Sequence, residues 1–235
     1  MLFRSNNFDF IHIDPWKKSK DVNEALEKTL EDIKYCISLK DDICLEVGTE
    51  QAIFAYSVEE LRDFLSNLKS SLNNKFNNIK YAVVQGGTKI SDTINLGNYD
   101  RDKLSEMCKI TKDFGLLSKE HNGDYLTRES IQDRFNNGLD AINIAPEFGV
   151  LETKMILNEL NNTEFEKFYE ICYNSKKWEK WVSKDFDFSN KKLLIEICGH
   201  YNLTSEVIEN FKKNNPKFDQ ICKNSIKEVI IGKIL

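Results

Sequence analysis

Short apolar runs typical of β-strands alternate with amphipathic, helix-like stretches from residue 8 to about residue 160. This alternation is typical of βαβ units, in which crossover helices join parallel strands. It predicts an α/β fold with about five strand–helix units in this part of the chain. The expected strands are 8–14, 43–48, 81–85, 115–120 and 141–145.

After residue 160 the strand pattern stops and only helical periodicity remains, as in Phe165, Phe168 and Cys172. The sequence therefore predicts two domains, a (β/α) domain over residues 1–160 and an α-helical extension over residues 161–235. Residues 182–190 are expected to form a connecting loop within the extension.

The charge balance limits the classes of partner. The chain has 33 Lys plus Arg against 38 Asp plus Glu, a formal net charge of -5, which argues against nucleic acid because that partner requires a basic surface. No apolar run is long enough to cross a bilayer, and residues 1–7 lack the apolar core of a signal peptide. The 6 cysteines are scattered through apolar-periodic segments, and no two of them form a C-x-x-C motif. This distribution is typical of reduced, buried thiols, so a cytoplasmic location is expected.

Polar and apolar side chains alternate within the expected strands, so each strand has one polar face, which includes His12, Glu46 and Asn143. A doubly wound sheet covers both faces with helices, and carboxylates buried there without water would be strongly unfavourable. A TIM (β/α)8-type barrel avoids this problem because the carboxyl ends of its strands open into a solvated mouth. The pattern therefore favours a barrel.

Five polar residues fall at or just past the expected strand ends: Asp14, Glu50, Gln85, His121 and Asp124. Active sites of barrels are built at these ends. Asp14, Glu50, His121 and Asp124 are therefore candidate catalytic residues, and Gln85 is a candidate substrate contact. Each residue alone is equally well explained as a structural polar group or a helix cap, but their convergence on one rim favours a site.

Two loops are candidates for binding phosphate. Gly86 and Gly87 follow the third expected strand, where their backbone amides could approach an anion with Lys89 adding charge. The segment from Asn143 follows the fifth strand, in a position where barrels often hold phosphate. An ordinary turn and a strand-to-helix connector explain these two segments equally well.

The histidines offer candidate metal ligands. His121 is the strongest candidate for a ligand or a general acid or base, and His12 is a second candidate ligand. His200 is expected to be structural or to lie on the surface. The sequence contains no H-x-x-x-H motif or Cys/His cluster, so it does not by itself indicate a zinc site.

Short segments at the strand ends occur in the same order and at similar spacing as the motifs of a known protein family. They are His12-Ile13-Asp14, Val47-Gly48-Thr49-Glu50, Val83-Val84-Gln85, His121 with Asp124-Tyr125, and Pro146. With these segments the chain resembles the GatZ/KbaZ-like family, the accessory subunit of class II tagatose-1,6-bisphosphate aldolase. The resemblance continues through the helical part, where residues 177–181 and 199–201 are similar to the family's C-terminal region.

The resemblance implies a TIM-barrel protein of sugar-phosphate metabolism, in galactitol and N-acetylgalactosamine breakdown. It implies a subunit that supports the activity and stability of a separate class II aldolase, and it places the catalytic zinc in that partner. Some family members are labelled tagatose-6-phosphate kinase, but the G-x-x-x-x-G-K-[ST] motif of a P-loop is absent from this sequence.

The chain departs from the family in two ways. Family members carry about three further strand–helix units before the segment that matches His12, and five units cannot close an eight-stranded barrel. We therefore expect either a truncated sequence or units supplied by another chain, with open sheet edges that promote association, including homo-oligomers. The second departure is Lys119-Glu120 before His121, which leaves the role of Glu120 open.

Three functions are consistent with the sequence. The leading hypothesis is an accessory subunit of a class II sugar-bisphosphate aldolase. The alternative is a sugar-phosphate lyase in which Glu50 or Asp14 acts as base and His121 as acid or metal ligand. The third is a fragment with no independent function.

Overall fold

The computed structural model describes residues 8–234, and its central feature is a sheet of five parallel strands, which lie side by side in the order Phe10–Ile13, Cys44–Val47, Ile79–Val84, Leu117–Glu120 and Ala141–Ile142. The strands are β1 Phe10–Ile13, β2 Cys44–Val47, β3 Ile79–Val84, β4 Ile90–Ser91, β5 Ile94–Asn95, β6 Leu117–Glu120 and β7 Ala141–Ile142. The α-helices are α1 Val22–Leu39, α2 Val58–Leu72, α3 Arg101–Asp113, α4 Arg128–Asn136, α5 Pro146–Leu157, α6 Asn162–Ser175, α7 Lys191–Cys198, α8 Glu206–Asn214 and α9 Phe218–Ile234.

The strand order distinguishes a barrel from a doubly wound sheet. The sheet runs in chain order without a reversal, and right-handed crossovers then place the helices that connect its strands on one face. The core confirms this arrangement, because Ile11, Leu45 and Ala82 of one sheet face pack with Ile33 and Leu65 of the helices. The fold is an α/β partial barrel of the TIM type, followed by a helical tail, as the sequence predicts.

Helix starts follow local side-chain chemistry. Ser57 and Glu60 form a capping box that satisfies free backbone N–H groups at the start of α2. The Asp21 and Asp100 side chains cap α1 and α3 in a similar way. The Thr127 hydroxyl accepts a hydrogen bond from the amide of Ser130 at the start of α4.

The structure differs from the sequence prediction at element boundaries. Gly115 was expected in a strand but has a positive φ of 76°, so it forms a turn before β6. Ile144 was also expected in a strand, whereas β7 ends at Ile142. The antiparallel pair β4–β5 was not predicted, because each strand is only two residues long and presents no alternation to detect.

The described chain forms two compact units. The first comprises residues 1–89, 97–123 and 132–143, of which 1–7 lie outside the described range, and it contains the five-stranded sheet. The second comprises residues 90–96, 124–131 and 144–235, and its core includes Phe168, Leu194 and Ile208 from α6, α7 and α8. The predicted boundary at residue 160 stays a prediction. None of the helices within residues 8–234 is long and apolar enough to span a membrane.

Candidate functional site

A cluster of imidazole and carboxylate groups lies at the carboxyl ends of three strands. His12 of β1 and Glu46 of β2 are register partners, and His121 directly follows β6. The Nε2 atom of His121 lies 2.5 Å from Oε1 of Glu46, and Nε2 of His12 lies 3.9 Å from the same oxygen. The His12 and His121 rings are 4.8 Å apart between centroids. The sheet therefore brings together three groups that are distant in sequence.

The Glu46 carboxylate is almost completely buried, with 1% of its side chain exposed. Its second oxygen, Oε2, accepts a hydrogen bond from Nζ of Lys119 at 2.6 Å. Burying a carboxylate without hydrogen-bond partners would be very unfavourable. In this site His121 is the partner of Oε1 and Lys119 is the partner of Oε2.

Glu50 and Asp14 extend the cluster. Oε2 of Glu50 lies 3.4 Å from Nδ1 of His121, so the imidazole stands between two carboxylates. Asp14 accepts hydrogen bonds from the Thr49 hydroxyl at 3.1 Å and from the Trp16 amide at 3.3 Å. The sequence-predicted residues Asp14, Glu50, His12 and His121 thus belong to the same compact unit.

The pKa values within the cluster diverge. Burial acts to lower the pKa of His121, but its hydrogen bonds with Glu46 and Glu50 raise that pKa to about 9. Burial acts to raise the pKa of Glu46, but hydrogen bonds from His121 and Lys119 lower it. Burial lowers the pKa of His12, because desolvation outweighs the attraction of Glu46.

The two rim carboxylates also differ from each other. The hydrogen bond with His121 lowers the pKa of Glu50, whereas burial raises the pKa of Asp14. The surroundings therefore shift the pKa values of these two carboxyl groups in opposite directions. Divergent pKa values among neighbouring carboxylates are typical of acid–base sites.

His12, Glu46 and His121 each offer one ligand atom, and these atoms lie within 4.8 Å of one another. Two imidazole nitrogens and a carboxylate oxygen form a donor set that suits zinc and other divalent transition metals. The carboxylate of Glu50 beside the other ring nitrogen of His121 fits the pattern in which an outer carboxylate orients a ligating histidine. The residues present therefore fit a metal centre.

Gln85 lies directly after β3, but loop backbone engages its amide group. Its Nε2 donates to the carbonyls of Thr49 and Phe54 at 3.0 and 2.8 Å, and its Oε1 accepts from the amide of Tyr56 at 3.1 Å. These contacts hold the loop that follows β2. They favour the structural alternative for Gln85, and its role as a substrate contact stays a prediction.

The glycine pair after β3 is explained by close packing. A Cβ on Gly87, whose φ is +100°, would lie 2.0 Å from the carbonyl oxygen of Asn98. The amide of Gly86 donates to Oε1 of Glu120 at 2.9 Å, so that amide is already engaged. The phosphate-binding role of Gly86, Gly87 and Lys89 stays a prediction, and the packing favours the ordinary-turn alternative.

Glu120 forms a buried ion pair on the helix-covered side of the sheet. Nε of Arg134 donates to Oε2 of Glu120 at 2.7 Å, with the two side chains only 2% and 1% exposed. The guanidinium also stacks on the ring of Tyr99, with 4.1 Å to the centroid. These contacts show Glu120 joining β6 to α4, a role that the sequence left open.

Asp124 belongs to the second compact unit and contacts the start of α5. Its Oδ1 accepts hydrogen bonds from the amides of Ala145 and Glu147 at 2.9 and 2.8 Å, which caps the helix. Asn143 is exposed and follows β7, where its backbone pairs with Glu120 and Gly123. A catalytic role for Asp124 and a phosphate contact for Asn143 stay predictions.

Sequence reasoning missed the central roles of Glu46 and Lys119. Glu46 was placed on the polar strand face but was not named as a site residue, because it lies inside β2 and not at the strand end. Lys119 was seen only as a departure from a family pattern. The signal that could have found both is the two-residue strand period, which places Lys119 on the same side as His121.

Comparisons with known proteins identify the fold. No model of a known protein family matches the chain, and no curated protein matches its sequence. A probable tagatose 6 phosphate kinase from Sinorhizobium meliloti 1021 has a TM-score of 0.62 at 14% identity, over 86% of this chain and 58% of that chain. Fructuronate-tagaturonate epimerase UxaE from Cohnella laeviribosi, complexed with two glycerols, has a TM-score of 0.63 at 11% identity, over 90% of this chain and 50% of that chain.

The native structure of UxaE from Cohnella laeviribosi gives the same result, with a TM-score of 0.61 at 12% identity over 90% of this chain. The chain spans about half the length of these structures. At such low identity the similarity shows a shared fold and does not show a shared activity.

Proposed function

We propose that this protein is a metal-dependent enzyme of sugar-phosphate or sugar-acid metabolism that carries out enolate chemistry beside a substrate carbonyl. The observation that carries the proposal is the donor set of His12, Glu46 and His121 at the carboxyl ends of parallel strands, in which Glu46 and His121 are buried and His12 is half-buried. The names of the structurally similar proteins refer to tagatose phosphate, fructuronate and tagaturonate, which supports a ketose-type substrate.

Each residue of the cluster has a distinct task in this proposal. His12, Glu46 and His121 would hold a divalent metal, which supplies Lewis-acid polarisation of a carbonyl oxygen when bound. His121 must lose its proton to act as a ligand, and Glu50 orients its ring through Nδ1. Asp14 is the group we assign to proton transfer at the carbon beside the carbonyl, because burial raises its pKa while that of Glu50 is lowered.

The test measures metal content and carbon–hydrogen exchange. The purified protein is loaded with Zn²⁺, Mn²⁺ or Co²⁺ and incubated in D₂O with tagatose 6-phosphate, tagatose 1,6-bisphosphate or fructuronate. We expect one bound metal ion and deuterium incorporation beside the carbonyl of at least one ketose, detected by NMR. Asp14→Asn should abolish exchange and keep the metal, and His121→Ala should lose both.

Asp42→Asn is a matched control, because Asp42 is an exposed carboxylate of the same compact unit near the amino end of β2. It should leave metal content and exchange unchanged. A wild-type protein that binds no divalent metal and exchanges no substrate proton would refute the proposal.

The second candidate is the accessory subunit of a class II aldolase, which the family resemblance implies. The observation that favours it is the open sheet face, where Phe10 and Leu117 are 38% and 44% exposed. In addition, within the part of the chain that the structure describes, β1 and β7 each pair with a strand on one side only. Such a face and two such edges suit a partner that supplies further strands, and the same edges suit a homo-oligomer.

Co-purification with a class II aldolase tests this second candidate. We expect association and a gain in the partner's cleavage activity or thermal stability, and Leu117→Glu on the open face should abolish both. If the two proteins do not associate and the aldolase gains neither activity nor stability, the accessory role is wrong.

A further inference from the structure

We propose that Lys119 is a positioning residue that occupies one oxygen of Glu46 and leaves only the other oxygen for His121 or a metal ion. This inference rests on the proposed metal centre, since it states how one of its ligands is held. Lys119 itself is not among the proposed metal ligands.

The two oxygens of Glu46 have different partners. Oε2 accepts from the Lys119 ammonium at 2.6 Å, and Oε1 accepts from His121 at 2.5 Å. A lysine ammonium offers only N–H donors, whereas an imidazole nitrogen can bind a metal ion through its lone pair. Lys119 can therefore act on Glu46 only as a donor, whereas His121 can also take part in binding the ion.

Aromatic rings keep the Lys119 side chain in place. Its Nζ lies 5.2 Å from the ring centroid of Phe10 and 5.5 Å from that of Tyr81. The two rings contact each other edge to face, with centroids 5.7 Å apart. Cation–π attraction and the low exposure of the side chain, 15%, make it difficult for water to replace the ammonium at Glu46.

The sheet explains why a lysine serves this purpose. Strand β3 lies between β2, which carries Glu46, and β6, which carries Lys119. A side chain of β6 must therefore reach past β3 to meet Glu46, and the four-carbon stem of lysine is long enough. His121 is two residues after Lys119, so both side chains leave the strand on the same face and approach Glu46 together.

This arrangement predicts how a metal would meet Glu46. With Oε2 held by Lys119, the carboxylate can offer a metal only Oε1. The ammonium also places a positive charge beside the ion, which weakens binding of a divalent cation. Removal of the ammonium should therefore free the second oxygen, change the coordination and tighten metal binding.

The first measurement uses the metal-free protein. The proton of the short His121–Glu46 hydrogen bond should give a far-downfield NMR resonance in the wild type, identified by its loss in His121→Gln. Lys119→Met should move or abolish this resonance because Glu46 is free to turn, whereas Lys119→Arg should retain it. Absence of the resonance in wild type, or its unchanged position in Lys119→Met, would overturn the proposal.

The second measurement is a Co²⁺ titration followed by visible absorption, whose band intensities report the coordination number. Lys119→Met should bind Co²⁺ at least tenfold more tightly and with a changed spectrum. Lys119→Arg should match the wild type in both respects. An identical spectrum and affinity in Lys119→Met would contradict the positioning role.

Two further variants keep the outcomes distinct. Lys40→Met is the matched control, since Lys40 pairs with Asp9 in the same compact unit and its loss should change neither measurement. Lys119→Leu replaces Lys119→Met if the latter does not fold, with the same expected tightening because both the charge and the N–H donors are gone. If the wild type binds no Co²⁺, the proposed metal function fails, and the resonance of the metal-free protein still decides the role of Lys119.

Discussion

The Nε2 atom of His121 and the Oε1 atom of Glu46 lie 2.5 Å apart, although 75 positions separate the two residues in the chain. The contact joins the ends of two strands that are not neighbours in the sheet. It places an imidazole with a pKa raised to about 9 against a carboxylate whose pKa is lowered, which is the arrangement of a buried ion pair at neutral pH.

Replacement of Glu46 by Gln should destabilise the protein and abolish metal binding. His121 and Lys119 would lose the buried carboxylate that pairs with both of them, which typically costs about 3–5 kcal/mol. Urea unfolding measures the loss of stability, and Co²⁺ titration measures the loss of binding. Glu24→Gln is the control, because Glu24 pairs with Lys28 on the helix surface and should contribute less than about 0.5 kcal/mol. Equal stability of the two variants would contradict this assignment.

The Glu120–Arg134 pair should be a major source of stability in the first compact unit. Arg134→Met leaves the Glu120 carboxylate buried, with the Gly86 amide as its one remaining donor within residues 8–234, and we expect a loss of about 3 kcal/mol in urea unfolding. Arg101→Met should cost less than about 1 kcal/mol, because Arg101 forms an exposed pair with Asp133 in the same unit. Similar losses for the two arginine variants would be inconsistent with the structure.

Asp124 offers a clear choice between a catalytic and a capping role. Asp124→Ala should lower stability by about 1–2 kcal/mol, because it removes the acceptor for two amides at the start of α5. Asp124→Asn retains an acceptor oxygen and should cost less. Metal affinity and deuterium exchange should be unchanged in Asp124→Asn, and a complete loss of exchange in this variant would favour the catalytic role.

His200 should make stability fall on acidification. Burial, together with the nearby Lys180 charge, lowers the pKa of His200 from 6.5 to about 4, and its Nδ1 has no hydrogen-bond partner in the described part of the chain. The unfolded state therefore binds more protons than the folded state between pH 6.5 and pH 4, so this contribution is complete above pH 6.5 and is lost as the pH falls toward 4.

The loss due to His200 is on the order of 2 kcal/mol. His200→Gln cannot titrate, so its stability should decline less steeply than that of the wild type over the same pH window in urea unfolding. Parallel curves for the two proteins would show that His200 is not the source.

The fold could be predicted because its signals are local. The strand-like runs around Ile11, Leu45 and Ala82 are patterns of neighbouring residues, and the structure confirms these strands. The pair β4–β5 escaped prediction because two-residue strands carry no periodicity. The start of β6 at Leu117 and the end of β7 at Ile142 differ from expectation. Backbone hydrogen bonding decides where a strand begins and ends, and the apolar pattern of the sequence does not report it.

The candidate site could be predicted only in part. Position at a strand end was enough to single out Asp14, Glu50 and His121, but the same reasoning selected Gln85 and Asp124, whose polar atoms engage loop and helix backbone. The difference between a ligand-facing group and a structural one depends on which backbone amides and carbonyls lie within about 3 Å, and no spacing in the sequence encodes this.

The sequence by itself determined an α/β partial barrel with a helical tail, because the alternation of apolar periods is a property of consecutive residues. Only the tertiary structure decided that Glu46 has His121 on one oxygen and Lys119 on the other, and that one ligand atom each of His12, Glu46 and His121 lie within 4.8 Å of one another. The physical reason is that the hydrogen bonds of a parallel sheet bring together strand ends that are far apart in the sequence. Interactions between neighbouring residues cannot specify such contacts.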